Sequence, residues 1–152
     1  MTTRPAGTVP SFTRARAWVV TPVRPGDHDP WAELFRAYAQ TRRPPLDPKA
    51  IDVMWDRLHD RKHPVHALVV RQTYGGPPVG LAHYRTVGRT ASAAPGCIVD
   101  DFFVDTAARG TGAASAMVAH LRRVAAARRW GAVRWLAAAD NPTRTIGRRR
   151  SA

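Results

Sequence analysis

The sequence predicts an α/β (α+β) layer fold, with a mixed, mostly antiparallel central sheet flanked by helices. Three observations carry that prediction. Two early segments place their apolar residues on one helical face, with Trp31, Leu34, Phe35 and Tyr38 in the first and Ile51, Met54, Trp55 and Leu58 in the second. The stretch from Val65 to Tyr84 reads as two strands around a Tyr74-Gly-Gly-Pro-Pro78 turn. Ile98 to Val104 then runs through Arg109-Gly-Thr-Gly112 into an alanine-rich helical pattern and a further strand, which is a strand-helix-strand crossover.

Taken in order, residues 1 to 16 are polar, carry Pro5 and Pro10, and read as a flexible arm. Ala17 to Val23 is a first strand, closed by Arg24-Pro-Gly-Asp27. Asp29-Pro30 supplies an N-cap followed by proline at the first helical position, and Asp47-Pro48 repeats that signal for the second helix. The stripe of Trp31, Leu34, Phe35 and Tyr38 is a core face rather than a ligand platform. Val65 to Arg71 and Val79 to Tyr84 form the hairpin, and Arg85 to Pro95 is a Thr-, Gly- and Ser-containing flexible connection. In the third helix Met117, Leu121 and Val124 form the apolar face, while Arg122, Arg123, Arg128 and Arg129 lie mostly off it. Gly131, after Trp130, is placed to terminate it at C′. Ala132 to Ala137 is the last strand, and the domain spans 17–143 with an irregular basic tail at 144–152.

The 152 residues fit one domain with a real core, and 44% hydrophobic content with five Trp argues against wholesale disorder. No apolar run approaches the roughly 20 residues of a membrane span, and the first residues lack the apolar core of a signal peptide. Cys97 is the sole cysteine, which fits a reducing cytoplasm, the expected location. The net charge of +13 is almost all arginine, with Lys49 and Lys62 the only lysines, and it is spread rather than gathered. It gives non-specific attraction to nucleic acid without making that the primary role. His59, His63 and His66 cluster, but no Cys or acidic residue completes a ligand set, so no metal is expected.

The strand, glycine turn and helix start around Asp101 to Ser115 form an anion cradle, because backbone N–H groups converge there and the helix dipole adds partial positive charge. A Walker loop is excluded, since no lysine follows Gly112. A dinucleotide fingerprint is excluded too: Gly110-x-Gly112-x-x-Ser115 is one residue short, and Arg134 and Trp135 stand where an acidic residue belongs.

Arg109-Gly-Thr-Gly112-Ala-Ala114, preceded by Asp101-Phe-Phe-Val104-Asp, resembles the acetyl-coenzyme A motif of GCN5-related N-acetyltransferases (GNAT), Arg/Gln-x-x-Gly-x-Gly/Ala. The resemblance extends from about Val19 to Thr143 in element order. It implies acetyl-CoA as co-substrate, a primary amine of a small molecule or peptide as acceptor, and room for a homodimer. Phe103 and Val104 would offer backbone groups to the pantetheine arm and thioester carbonyl. Arg109, Gly110, Thr111, Gly112, Ala113 and Ala114 would wrap the pyrophosphate, and Asn141 would contact the pantetheine. Asp100 stands where relatives often carry an acidic residue, a candidate general base. Strand alternation would turn Asp100 and Asp101 to opposite faces, so only one of them faces the acceptor.

Relatives continue past Asn141 as Asn-x-x-Ala-x-x-Leu-Tyr, with a helix and two more strands. Here Arg144, Gly147 and Arg148 replace Ala, Leu and Tyr, which leads to the expectation of a frameshift or truncation after Thr143 and of weak or absent turnover. The alternative from another class is a basic, non-catalytic binding module contacting nucleic acid or a protein partner.

Overall fold

The computed structural model describes residues 17–41 and 45–136. Five strands, β1 (Val19–Pro22), β2 (Val65–Arg71), β3 (Pro78–Val87), β4 (Gly96–Val104) and β5 (Val133–Trp135), lie side by side in sequence order. The first four pair antiparallel, and β5 is parallel to β4. That reversal follows from chain economy: hairpins join neighbours, whereas a parallel neighbour needs a crossover, supplied here by helix α3 (Ala113–Ala127). Helices α1 (His28–Gln40) and α2 (Lys49–His59) precede β2. The mixed, mostly antiparallel sheet flanked by helices is therefore the architecture the sequence predicts.

Strand alternation divides the core between the two faces of the sheet. Leu68, Val70, Ala82, Tyr84, Val99, Phe102 and Val104 meet Met117, Val118 and Leu121 of α3 on one face. Val69, Leu81 and Phe103 meet Trp31, Leu34, Phe35 and Tyr38 of α1 and Ile51 of α2 on the other. Trp31 is fully enclosed, so the aromatic stripe of α1 is core, as its spacing predicts.

Several boundaries differ from the sequence reading, each for a local reason. Arg85, Thr86 and Val87 are not a loose connection, because they pair with Ile98, Cys97 and Gly96 and extend both strands. Helix α1 begins at His28, before Asp29, and a 3-10 turn over Pro25–Asp27 leads into it. The Asp27 carboxylate there accepts the Arg24 N–H at 2.9 Å and a bidentate pair from the Arg71 guanidinium at 3.0 and 2.7 Å. Helix α2 starts one residue later than expected, at Lys49 with Pro48 at its N-cap, and the Asp47 carboxylate accepts the Lys49 N–H at 2.9 Å from just outside it.

The end of α3 also departs from expectation. Arg129, not Gly131, adopts the left-handed conformation, at φ 55°. The Trp130 N–H donates to the Ala125 carbonyl and the Arg129 N–H to Ala126, the paired bonds of a Schellman ending. A Cβ at Gly131 would lie 2.5 Å from an Arg89 Nη, the movable end of a long side chain. Arg129→Gly is expected to raise stability by about 1 kcal/mol, because the arginine bears a left-handed penalty that glycine avoids. A urea midpoint that stays level or falls, with unchanged slope, would contradict it.

One irregularity shapes the region around Asp100. Register shifts between His83 and Tyr84, with His83 opposite Asp101 and Tyr84 opposite Val99, so Asp100 is the extra residue of a bulge. The bulge cancels the alternation expected of successive residues. His83 and Arg85 lie on the same face of β3, separated by Tyr84 on the other, and they bind Asp101 and Asp100 respectively. Both carboxylates therefore reach the α1/α2 face, which corrects the opposite-face expectation.

Candidate functional site

The cradle is assembled where β4 hands over to α3. A 3-10 turn over Thr106–Ala108 follows β4, and Gly110 and Gly112 then take φ values of 74° and 95°, a region that side chains with a Cβ rarely occupy. The turn is held from three sides. The Trp18 indole N–H donates to the Thr111 carbonyl at 2.9 Å, the Thr111 hydroxyl donates to the Ala108 carbonyl, and the Arg109 Nε donates to the Val104 carbonyl at 3.1 Å. Arg109 also lies 5.7 Å from the Phe103 ring centre, within cation–π range.

Behind this turn, Ala113 is buried against the sheet and Ala114 is half-buried. No side chain caps the start of α3, so its first-turn N–H groups are left for an external acceptor. A Cβ at Gly110 would meet nothing within 4 Å, which marks an open approach to the main chain on that side. Left-handed glycines, an uncapped helix start and an adjacent guanidinium suit a phosphate oxygen better than any neutral group.

The edge of β4 beside the cradle is the second component. Cys97 receives β5 through its N–H to Ala132, and Val99 through its carbonyl to the Leu136 N–H at 3.0 Å. Among the described residues the β4–β5 ladder stops there. Further along, the Asp105 N–H bonds Val79, and the Phe103 carbonyl lies over Gly80, so both turn toward β3. Alternation directs the main-chain groups of Phe102 and the Val104 N–H to the opposite, open edge, where the Val104 carbonyl is already taken by the Arg109 Nε. Of the two positions named from sequence, Val104 lies on that edge and Phe103 does not. Asn141 lies outside the described residues, as do the Thr143 junction and the tail after it.

Asp100 is half-buried and accepts the Arg85 Nε–H at 2.9 Å. Beside it is a network that sequence reasoning missed. The Trp31 indole N–H donates to His83 Nε2 at 3.0 Å, and His83 Nδ1 lies 2.9 Å from an Asp101 carboxylate oxygen, all three side chains being buried. Because an indole nitrogen only donates, the His83 proton sits on Nδ1 and is given to Asp101. A histidine opposite an aspartate across two strands was the available signal, but using it required the register that the bulge sets.

The three clustered histidines do not converge. His59 Nδ1 is 2.8 Å from the Trp55 carbonyl, His63 Nδ1 accepts the Val65 N–H, and the His66 ring meets Tyr84 at 5.3 Å. Burial, with the nearby Arg128, lowers the His66 pKa. Burial likewise pushes the Cys97 thiol up to about 11, with Asp100 adding to it, so the thiol stays protonated and inert at neutral pH. No described helix is long and apolar enough to cross a membrane.

Comparison with known proteins identifies the family and the fold. The model of the Acetyltransferase (GNAT) family matches residues 31–147. Among solved structures, the chain resembles a ribosomal-protein-alanine N-acetyltransferase from Brucella melitensis biovar Abortus 2308, at 23% identity and a TM-score of 0.66 over 84% of each chain. It also resembles a probable acetyltransferase, at 16% identity and a TM-score of 0.74 over 88% of this chain and 91% of the other. An aminoglycoside acetyltransferase from an uncultured soil metagenomic sample is similar at 14% identity and a TM-score of 0.64, over 80% and 78%. No curated protein matches the chain by sequence.

Proposed function

Because the chain belongs to the GNAT acetyltransferase family, we propose that it transfers an acetyl group from acetyl-CoA to a primary amine. The observation that carries the reading is the uncapped start of α3 behind Gly110 and Gly112, set beside the open β4 edge of Phe102 and Val104. Acetyl-CoA supplies a pyrophosphate and an activated acyl group on one long, flexible molecule, and the chain offers a complementary surface for each end. Gly110 to Ala114, with Arg109, hold the anion. The Phe102 main chain and the Val104 N–H can orient the extended arm as a further strand would, with Arg109 already on the Val104 carbonyl.

Asp100 is the carboxylate on that part of the sheet with partial access to water. In this reading it takes up the proton of the incoming ammonium, directly or through a water, with Arg85 orienting it. The nitrogen then forms its C–N bond as the C–S bond breaks, sulfur ends as a thiol, and one proton is released per ammonium consumed. Asp101 is excluded from this role because it is buried against His83. It fixes the bulge that presents Asp100.

Calorimetric titration with acetyl-CoA, joined to a thiol-release assay over a panel of primary amines, tests the reading. Asp100→Asn is expected to leave acetyl-CoA affinity unchanged and to lower kcat about 10²-fold or more. An unaltered kcat would remove Asp100 from the mechanism. Salt-sensitive DNA binding without any acetyl-CoA binding would instead favour a basic binding module.

A further inference from the structure

At the end of β4 away from the cradle lies a cavity of about 270 Å³ to which the proposed function gives no role. Arg89, Thr90, Gly96, Ile98, Ala132 and Arg134 are among the residues lining it. Its place relative to Asp100 follows from the register. Ile98 pairs with Arg85 on one side and with Arg134 on the other, and Asp100, the bulged residue, lies two positions further along β4.

Two arginines stand among the lining residues. Among the described residues, no carboxylate pairs with Arg89 or Arg134, whereas Arg85 is committed to Asp100. The half-buried Arg89 side chain runs close over two glycines. Its side-chain carbons pass 3.2 and 3.4 Å from where a Gly96 Cβ would be, and an Nη lies 2.5 Å from where a Gly131 Cβ would be. Two glycines thus clear the path of one arginine, and the Gly131 N–H, bonded to the Pro95 carbonyl at 2.9 Å, closes the loop around it.

Resting on the acetyltransferase reading of the same site, we propose that this cavity is the acceptor subsite and that the acceptor is a small amine bearing a carboxylate, of amino-acid size. Arg89 and Arg134 hold the carboxylate, and the amino group is directed along β4 toward Asp100. The volume lies below the roughly 300–1,000 Å³ typical of drug-sized ligand sites, which favours a free small molecule over a folded partner. The charge disfavours a polyamine, whose cations would meet two arginines without carboxylate partners.

The test uses the full chain and matched amines. L-alanine is compared with L-alaninamide, γ-aminobutyrate with its amide, and spermidine serves as a polycation, each at saturating acetyl-CoA with thiol release measured. The acids are expected to show kcat/KM at least about tenfold above their amides and above spermidine. Arg134→Ala and Arg89→Met should each raise KM for the acids about tenfold, leaving KM for the amides and acetyl-CoA affinity unchanged. Amides or spermidine turned over equally well, or arginine variants that fail to separate acids from amides, would overturn the proposal. If no amine is turned over, calorimetric titration of the CoA-loaded protein with γ-aminobutyrate decides. Arginine-dependent saturation supports the subsite, and none by about 10 mM rejects it. Absence of acetyl-CoA binding would sink the acetyltransferase reading itself, and the same titration on the unloaded protein then reads the anion site separately.

Discussion

Asp27→Ala is expected to lower the unfolding free energy by about 3–5 kcal/mol. Asp27 and Arg71 are both almost fully buried, and the carboxylate answers the guanidinium with two bonds of 3.0 and 2.7 Å. Arg71 also donates to the Gly76 carbonyl at 3.1 Å, so one guanidinium ties the start of α1 to the end of β2 and the hairpin turn. Removing the aspartate leaves a buried charge without its counterion, which costs far more than the net value of the pair. The double variant Asp27→Leu/Arg71→Met should recover most of the loss, since it buries no uncompensated charge.

The same pair sets a pH dependence. Burial alone would raise the Asp27 pKa, but the Arg71 hydrogen bonds, the Arg24 N–H and the two positive charges outweigh it and hold the value below 3.8. A carboxylate depressed in the folded state contributes stability above its unfolded value and loses it as pH falls through the folded one. Wild type should therefore lose stability below pH 3.8 through this group, and Asp27→Asn should lack that component. Urea unfolding at several acidic pH values checks both. A cost for Asp27→Ala of under about 1 kcal/mol, the range of exposed pairs, would show that the pair is not sequestered from water.

Gly110→Asp is expected to weaken acetyl-CoA binding by about 100-fold or more while leaving the fold nearly as stable. The position is exposed, a Cβ meets nothing within 4 Å, and its φ of 74° lies in the region that Asp and Asn tolerate better than other side chains. The damage is therefore electrostatic and local, a carboxylate standing where a pyrophosphate must approach an uncapped helix start. Gly110→Asn separates the causes, because it adds similar bulk without charge and should lose much less. Gly112→Val should cost both binding and stability, since a φ of 95° is strained for a β-branched residue. Calorimetric titration with acetyl-CoA alongside urea melts measures each variant. Undiminished affinity in Gly110→Asp would place the pyrophosphate elsewhere.

Much of the fold was legible because its signals are local. Trp31, Leu34, Phe35 and Tyr38 repeat at helical spacing, and helical spacing with large apolar side chains is enough to bury them. The Arg109-Gly-Thr-Gly112 turn was legible for a similar reason, since glycines before a helix allow a backbone conformation that other residues resist. The misread features depend on partners distant in sequence. Gly131 has the mark of a helix terminator, yet the left-handed residue that ends α3 is Arg129. Trp18 carries no sign in the sequence that it pins Thr111, 93 residues away.

The sequence by itself determined the order of elements, the two aromatic helix faces and the glycine cradle, because periodicity and backbone permissiveness act over a few neighbouring residues. Only the tertiary structure decided the register of β3 and β4. Their bulge is one extra residue relative to a partner strand, a quantity that neither strand contains alone. That single residue places Asp100 and Asp101 on one face, gives Asp101 to a buried His83 and leaves Asp100 beside Arg85 with access to water.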